Sequence, residues 1–253
     1  MNSPITRIPD FAPKALVTTG WGKTHVGLVR KINEDALLLD PAGSLWAVAD
    51  GMGGYGHGDV AADIVTECLS EISTFDDPRI AINAGITKAN ARIFDRSSAP
   101  GWGAMGATVV ALYLDLQAEQ FVIGWAGDSR IYRLRDGALT MLSHDHSLVQ
   151  EMVDAGSLDA RAAEAHPQSH VVTRAVGAEP RVDVSFGDGL LRDGDVYMLC
   201  SDGLSRCVTD DNLREILASS IDPEESCDRL IDAALAEGAP DNVSVIVVHL
   251  SEA

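Results

Sequence analysis

Positive charge is scarce in this 253-residue sequence: 19 Lys and Arg stand against 38 Asp and Glu, a formal net charge of −19 at pH 7. Such a surface repels phosphate backbones and anionic lipid, which excludes nucleic acid and membrane surfaces as partners. An anionic substrate would need a local cationic centre. Long apolar runs are missing as well. The longest, such as Val243–Leu250, are strand-sized and broken by Ser244 and His249, well short of the roughly 20 residues of a membrane span. The N-terminal MNSPITRIPDFAPKAL carries three prolines and no apolar signal core, so residues 1–18 read as a flexible arm. The cysteines at 68, 200, 207 and 227 show no paired spacing and read as buried free thiols of a cytoplasmic protein. Repeats, low-complexity blocks and Ser/Gly linkers are absent too. With 46% apolar and 23% charged residues, the composition fits one folded domain over 19–253.

Apolar and β-branched density predicts strands at Ala36–Leu39, Leu45–Ala49, Thr108–Leu114, Gln120–Trp125, Arg130–Leu134, Val182–Phe186, Asp195–Cys200 and Val243–Leu250. The short AGDS link predicts that Gln120–Trp125 and Arg130–Leu134 form a hairpin. A second tight turn is expected at Arg135–Gly137. Apolar stripes predict helices over Asp59–Ile72 and over Pro78–Arg96, the latter with Asp77 as N-cap. The Asp222–Glu225 capping box opens a third helix that runs to Gly238, and a short one is expected over His146–Ala155. Helices bracketing groups of strands indicate an α+β protein with mainly antiparallel sheets. Residues 156–180, polar and weakly periodic, read as a mobile excursion.

The aspartates carry the chemical signal. Asp50 follows LWAVA, Asp128 follows FVIGWAG, Asp202 follows VYMLCS, and Asp241 stands directly before NVSVIVV. Each marks the end of a buried strand, with Gly or Asn beside it to permit a sharp turn. Glu34 and Asp35 precede another strand. A single strand-end Asp means a turn. Six such carboxylates converging would cost on the order of 4 kcal/mol per close pair at ~4 Å and an effective dielectric near 20. A cluster of that kind takes up protons or binds cations, and oxygen-only donors favour Mg²⁺ or Mn²⁺ over zinc. Two such ions would supply the missing positive centre. Arg30, four and five residues before Glu34 and Asp35, offers a planar fork for phosphate.

The fragments VGLVRKINED, VADGMGG, MGATVV, WAGDSRIYRLRDG, DHSLVQEMV, VVTRAVG, LCSDGLS and PDNVSVIVV occur in this order between residues 25 and 250. Together they closely resemble the metal-dependent protein serine/threonine phosphatases of type 2C, in their compact bacterial form. The resemblance implies a four-layer α-β-β-α sandwich and hydrolysis of phosphoserine and phosphothreonine by a water activated between two Mg²⁺ or Mn²⁺ ions, with a third, weaker ion in some members. By motif, Asp50 would bridge two metals, Gly51 would lend its carbonyl, and Asp202 and Asp241 would complete the second ion. Asp128 with Asp202 would hold the third. Glu34 and Asp35 would act through metal-bound waters, and Arg30 would grip the substrate phosphate. The excursion at 156–180 corresponds to the family's flap. The partners implied are phosphorylated proteins and an opposing Ser/Thr kinase, with the chain acting as a monomer. Met52 stands where eukaryotic members carry a His assigned as general acid, so that role passes to a metal-bound water ahead of His57. Tyr55, Asp59 and Ala107 also depart from the usual residues.

Other signals carry less. Gly101–Gly106 matches GxGxxG but has a helix and loop before it and a strand after it, the reverse of a dinucleotide site. GGYGHGD resembles a single calcium-binding nonapeptide unit without a second copy. His144 and His146, with no Cys nearby, fit a turn or capping role better than zinc. A binding module that has lost catalysis would lack metal ligands, whereas all are present here. A two-metal nuclease is disfavoured by the net charge.

Overall fold

The computed structural model describes residues 15–53, 57–72, 77–164 and 166–253. Strands β1 (Leu16–His25), β2 (Asp35–Leu39) and β3 (Leu45–Gly53) lead into helices α1 (Gly58–Ser70) and α2 (Pro78–Ser97). Next come β4 (Met105–Ala107), β5 (Val109–Asp115), β6 (Gln120–Ala126), β7 (Arg130–Arg135) and β8 (Ala138–Met141). Two short helices, α3 (Leu148–Asp154) and α4 (Ala160–Glu164), precede β9 (Ser185–Leu190) and β10 (Val196–Cys200). The chain closes with α5 (Asp202–Ser205), α6 (Asp210–Ser219), α7 (Pro223–Ala236) and β11 (Val243–Glu252).

One sheet has the order β1-β11-β10-β7-β8 and the other β2-β3-β5-β6-β9, with β4 added to β3. Strand alternation sorts each side chain to one of two faces. Trp46, Val48, Tyr197, Leu199, Ile246 and Val248 point between the sheets. Their neighbours Ala47 and Ala49 pack under α1 and α2, while Met198, Cys200, Val245 and Val247 pack under α5, α6 and α7. Because both sheets are covered on both faces, β3, β5, β10 and β11 read as near-continuous apolar runs. The expected α-β-β-α sandwich of antiparallel sheets is the observed architecture.

The helix signals hold at residue level. Asp77 accepts from the N–H of Arg79 at 2.9 Å, and Asp222 accepts from that of Glu225 at 2.8 Å. Asp136 and Gly137 both take positive φ, 51° and 78°, in the tight turn joining β7 to β8. The cysteines are free; 68, 200 and 227 are buried, and Cys207 is half-buried. Among the described residues no helix is long and apolar enough to cross a membrane.

Several expectations need correction. The arm cannot extend to residue 18, because Leu16 already pairs with Glu252 at the start of the β1–β11 ladder; its remaining residues 1–14 lie outside the described residues. β6 and β7 are not a hairpin. β6 pairs with β5 and β9, β7 with β10 and β8, so the chain crosses from one sheet to the other at Gly127–Ser129. The strand expected at Val182–Phe186 lies at Ser185–Leu190. The excursion is narrower than 156–180: Val172 bridges Ser147, and Val176, fully buried, exchanges both backbone hydrogen bonds with Ala107. It also contains α4.

Candidate active site

The candidate residues come from both sheets and meet at one end of the sandwich. Asp35 and Asp50 face each other in the β2–β3 register. Asp202 opens α5 directly after β10, Asp241 leads into β11, and Asp128 sits at the crossover between β6 and β7. Two glycines permit this crowding. A β-carbon on Gly51 would run into the carbonyl oxygens of Gly58 and Glu34, and one on Gly203 into the carbonyl of Asn242.

The carboxylates sit close enough to perturb one another. Burial, and then repulsion from Asp202 and Asp241, pushes Asp35 up to about 7 against its hydrogen bonds to serine hydroxyls. Burial and then Asp202 push Asp128 to about 7 as well, with Arg206 opposing. Asp50 is driven well above the ordinary carboxylate range, first by burial and then by Asp35, Asp202, Asp128 and Asp241. Asp202 is raised by burial, offset in part by Arg206. Among the described residues, two positive groups pair with the cluster. Arg30 Nη2 donates to Asp241 Oδ2 at 2.8 Å, and Arg206 Nη2 lies 3.0 Å from Oδ2 of both Asp128 and Asp202.

Glu34 stands at the rim in a bracing position. Its Oε1 accepts from the Gly58 N–H at 2.9 Å, at the start of α1, and its carbonyl accepts from the Gly51 N–H at 3.0 Å. Asp35 Oδ2 accepts from Ser201 Oγ at 2.9 Å. His57 precedes α1 with its ring against Trp102, centroids 4.8 Å apart. His144 pairs with Asp154 at 2.7 Å. His146 holds Gly127 from both sides, its backbone N–H donating to the Gly127 carbonyl and its Nδ1 accepting from the Gly127 N–H. That is the turn role expected of it. Tyr55 lies outside the described residues, with its neighbours Gly54 and Gly56 in the GGYGHGD string.

The donor set fits hard divalent cations. It consists of carboxylates and backbone carbonyls, the oxygen ligands Mg²⁺ and Mn²⁺ take. Asp35 Oδ1 and Asp202 Oδ1 are buried with no hydrogen-bond partner, an arrangement that costs free energy unless a proton or cation arrives. Among the described residues no three carboxylate, imidazole or thiol groups form a finished cation cage; guanidinium groups take up oxygens of Asp128, Asp202 and Asp241 instead.

Sequence reasoning missed three contributors. Asn242, buried beside Asp241, accepts from the Glu34 N–H at 2.8 Å and donates to the carbonyls of Val26 and Ile32, both at 2.9 Å. It thereby ties the Arg30 loop to the start of β11. Ser201 links Asp35 to Ser244. Arg206 stands four residues beyond Asp202, the spacing that places two side chains on one helix face. Asn242→Ala removes three partly buried hydrogen bonds, and the variant is expected to lose about 2 kcal/mol, roughly 4–8 °C in Tm. A thermal melt in EDTA checks this; a variant melting with the wild type would mean the loop is held by other contacts.

The protein phosphatase 2C family model matches residues 22–238. The chain belongs to that family. This phosphatase is 32% identical over 236 residues to a putative protein phosphatase 2C-type of Streptococcus pyogenes, covering 90% of this chain and 95% of that one. It is 38% identical over 248 residues to the serine/threonine protein phosphatase PstP of Mycobacterium tuberculosis, covering 95% of this chain and 46% of PstP, and so spans about half of PstP's length. Among solved structures it is similar to the catalytic domain of PstP in complex with two manganese ions, with a TM-score of 0.85 and 34% identity over 94% of this chain and 100% of that one.

Proposed function

We propose that this phosphatase hydrolyses phosphoserine and phosphothreonine in proteins, using water and two Mn²⁺ or Mg²⁺ ions. The observation that carries the reading is the meeting of Asp50, Asp128, Asp202 and Asp241 from both sheets, with buried oxygens left unpaired. Asp50, the Gly51 carbonyl, Asp202 and Asp241 would hold the two ions, and Asp128 with Asp202 a third. When bound, such ions lower the pKa of a water and neutralise phosphoryl oxygens.

The chain's own residues do the rest. Asp35, Asp50, Asp128 and Asp202 must give up the protons that burial favours, which couples metal loading to pH. Arg30, more than half exposed and paired with Asp241, is free to exchange that carboxylate for a substrate phosphate, where its fork binds two oxygens. Glu34 and Asp35 orient the site from behind, Glu34 by fixing the start of α1 against Gly51. The unit performing this is one domain from β1 through β11. We place it in the cytoplasm as a monomer, where its thiols stay reduced. Its partners are phosphorylated proteins, so a Ser/Thr kinase must supply the substrate; the net charge of −19 disfavours nucleic acid.

A phosphothreonine peptide is expected to be hydrolysed in the presence of Mn²⁺ and to be spared in EDTA. A sugar phosphate and single-stranded DNA serve as controls. Undiminished hydrolysis after chelation, or preference for either control, would refute the assignment.

A further inference from the structure

Arg206 belongs to no role assigned so far, yet it sits among the carboxylates. It lies just past α5, four residues after Asp202, and its backbone N–H donates to the Asp202 carbonyl at 2.9 Å. A single nitrogen, Nη2, faces three acceptors: Asp128 Oδ2 at 3.0 Å, Asp202 Oδ2 at 3.0 Å and the Ser169 carbonyl at 3.2 Å. The Arg206 side chain is 37% exposed, whereas that of Asp128 is 5% exposed.

We propose that the Arg206 guanidinium is a built-in competitor for the cation that Asp128 and Asp202 hold, and that cation binding there frees Ser169 from the site. This rests on the proposed assignment of those two aspartates as ligands. A guanidinium and a divalent ion seek the same Oδ2 atoms, and a carboxylate oxygen committed to one is lost to the other. The singly charged, weakly hydrated guanidinium offsets part of the pair's charge without demanding an oxygen cage. A divalent ion wins only when its concentration overcomes that internal pairing. Nη2 has two N–H groups for three acceptors, so no contact is at full strength and the group is poised to leave.

The surroundings permit the exchange. A cavity of about 480 Å³, lined in part by Arg206, Ser169, Asp128, Asp202 and Arg130, gives the displaced side chain room to swing. Arg130 cannot take its place, because it is engaged by both oxygens of Asp145, at 2.7–3.2 Å. Ser169 lies in the turn between α4 and the segment pinned at Val172 and Val176. The Arg206–Ser169 contact therefore links the flap directly to the occupancy of the Asp128–Asp202 pair.

Mn²⁺ titration calorimetry on the full chain, wild type beside Arg206→Gln, Arg206→Lys and Asp128→Ala, tests the proposal. Arg206→Gln is expected to bind the weakest Mn²⁺ about five- to tenfold more tightly than wild type, the scale of losing two partly exposed ion pairs. Arg206→Lys, a point charge without the fork, is expected to fall between them, and it carries the test should the Gln variant fail to fold. Hydrogen exchange gives a second readout. Filling the weak site is expected to speed amide exchange over Ser169–Val171 in wild type, and in Arg206→Gln that exchange is already fast before Mn²⁺ is added. If Asp128→Ala loses the weak ion while both Arg206 variants bind it no more tightly than wild type, the competition is overturned. If Asp128→Ala binds as many ions as wild type, the ligand assignment beneath it fails instead.

Discussion

Asp50→Asn is expected to lower kcat/KM on a phosphothreonine peptide by about a thousandfold or more at saturating Mn²⁺. Asp50 stands in the β2–β3 register opposite Asp35 and feels the charge of Asp35, Asp202, Asp128 and Asp241. An amide of the same shape keeps the packing but removes the charge that two cations would share. Charge stabilisation by such ions is worth several kcal/mol, at about 1.4 kcal/mol per tenfold in rate. The same variant is expected to lose most of the rise in Tm that Mn²⁺ gives the wild type, because binding to the folded state alone is what produces that rise. Kinetics and thermal melts with and without Mn²⁺ check both statements. An Asn variant that retains activity and its Mn²⁺-dependent Tm would remove Asp50 from the centre of the site.

The second large effect is on stability in the absence of metal. Asp35 and Asp128 are pushed up to about 7 in the folded chain, whereas an unfolded Asp titrates near 4. Between those values the folded state binds more protons than the unfolded state. Stability from these groups is therefore complete below pH ~4 and is lost as pH rises through 7. In EDTA the Tm is expected to fall between pH 5 and pH 8 by about 10 °C, corresponding to a few kcal/mol for a chain of this size. Added Mn²⁺ should reverse the trend, since in the proposed assignment the deprotonated carboxylates would be its ligands. Asp50→Asn, with one buried carboxyl fewer to hold a proton in the folded state, should flatten the EDTA curve. A wild-type Tm in EDTA that is level or rising over that range would show that these carboxylates are not forced together.

The reach of the sequence differs between elements for physical reasons. α2 and α7 were readable because capping and periodicity point the same way: Asp77 and Asp222 cap where Pro78 and Pro223 fix the first turn. β3, β10 and β11 were readable because burial on both faces leaves uninterrupted apolar runs. β1 escaped notice because it lies at the edge of its sheet. Its residues alternate between partly buried and exposed, and Thr, Gly and Lys dilute the apolar signal. The false hairpin at β6–β7 has a different origin. Local spacing reports that the chain turns at Gly127–Ser129, but which partner each strand takes is decided by residues distant in sequence. The candidate site follows the same division. Aspartates at strand ends mark the carboxylates directly. Asn242 and Ser201 act through contacts more than forty residues away in sequence, which periodicity cannot reveal. Arg206 went unread although its spacing from Asp202 is that of one helix face, and its contact with Asp128 is a product of the tertiary fold.

Asp35 and Asp50 hang from one sheet, Asp202 and Asp241 from the other, and Asp128 rides the strap between them. An ion gripped from both sides would therefore work as a rivet through the sandwich. Slippage of one sheet past the other by a fraction of an ångström would spread the carboxylates and loosen the rivet. A substitution deep in the Trp46–Ile246 layer, remote from any phosphate, would then register first as a changed appetite for manganese.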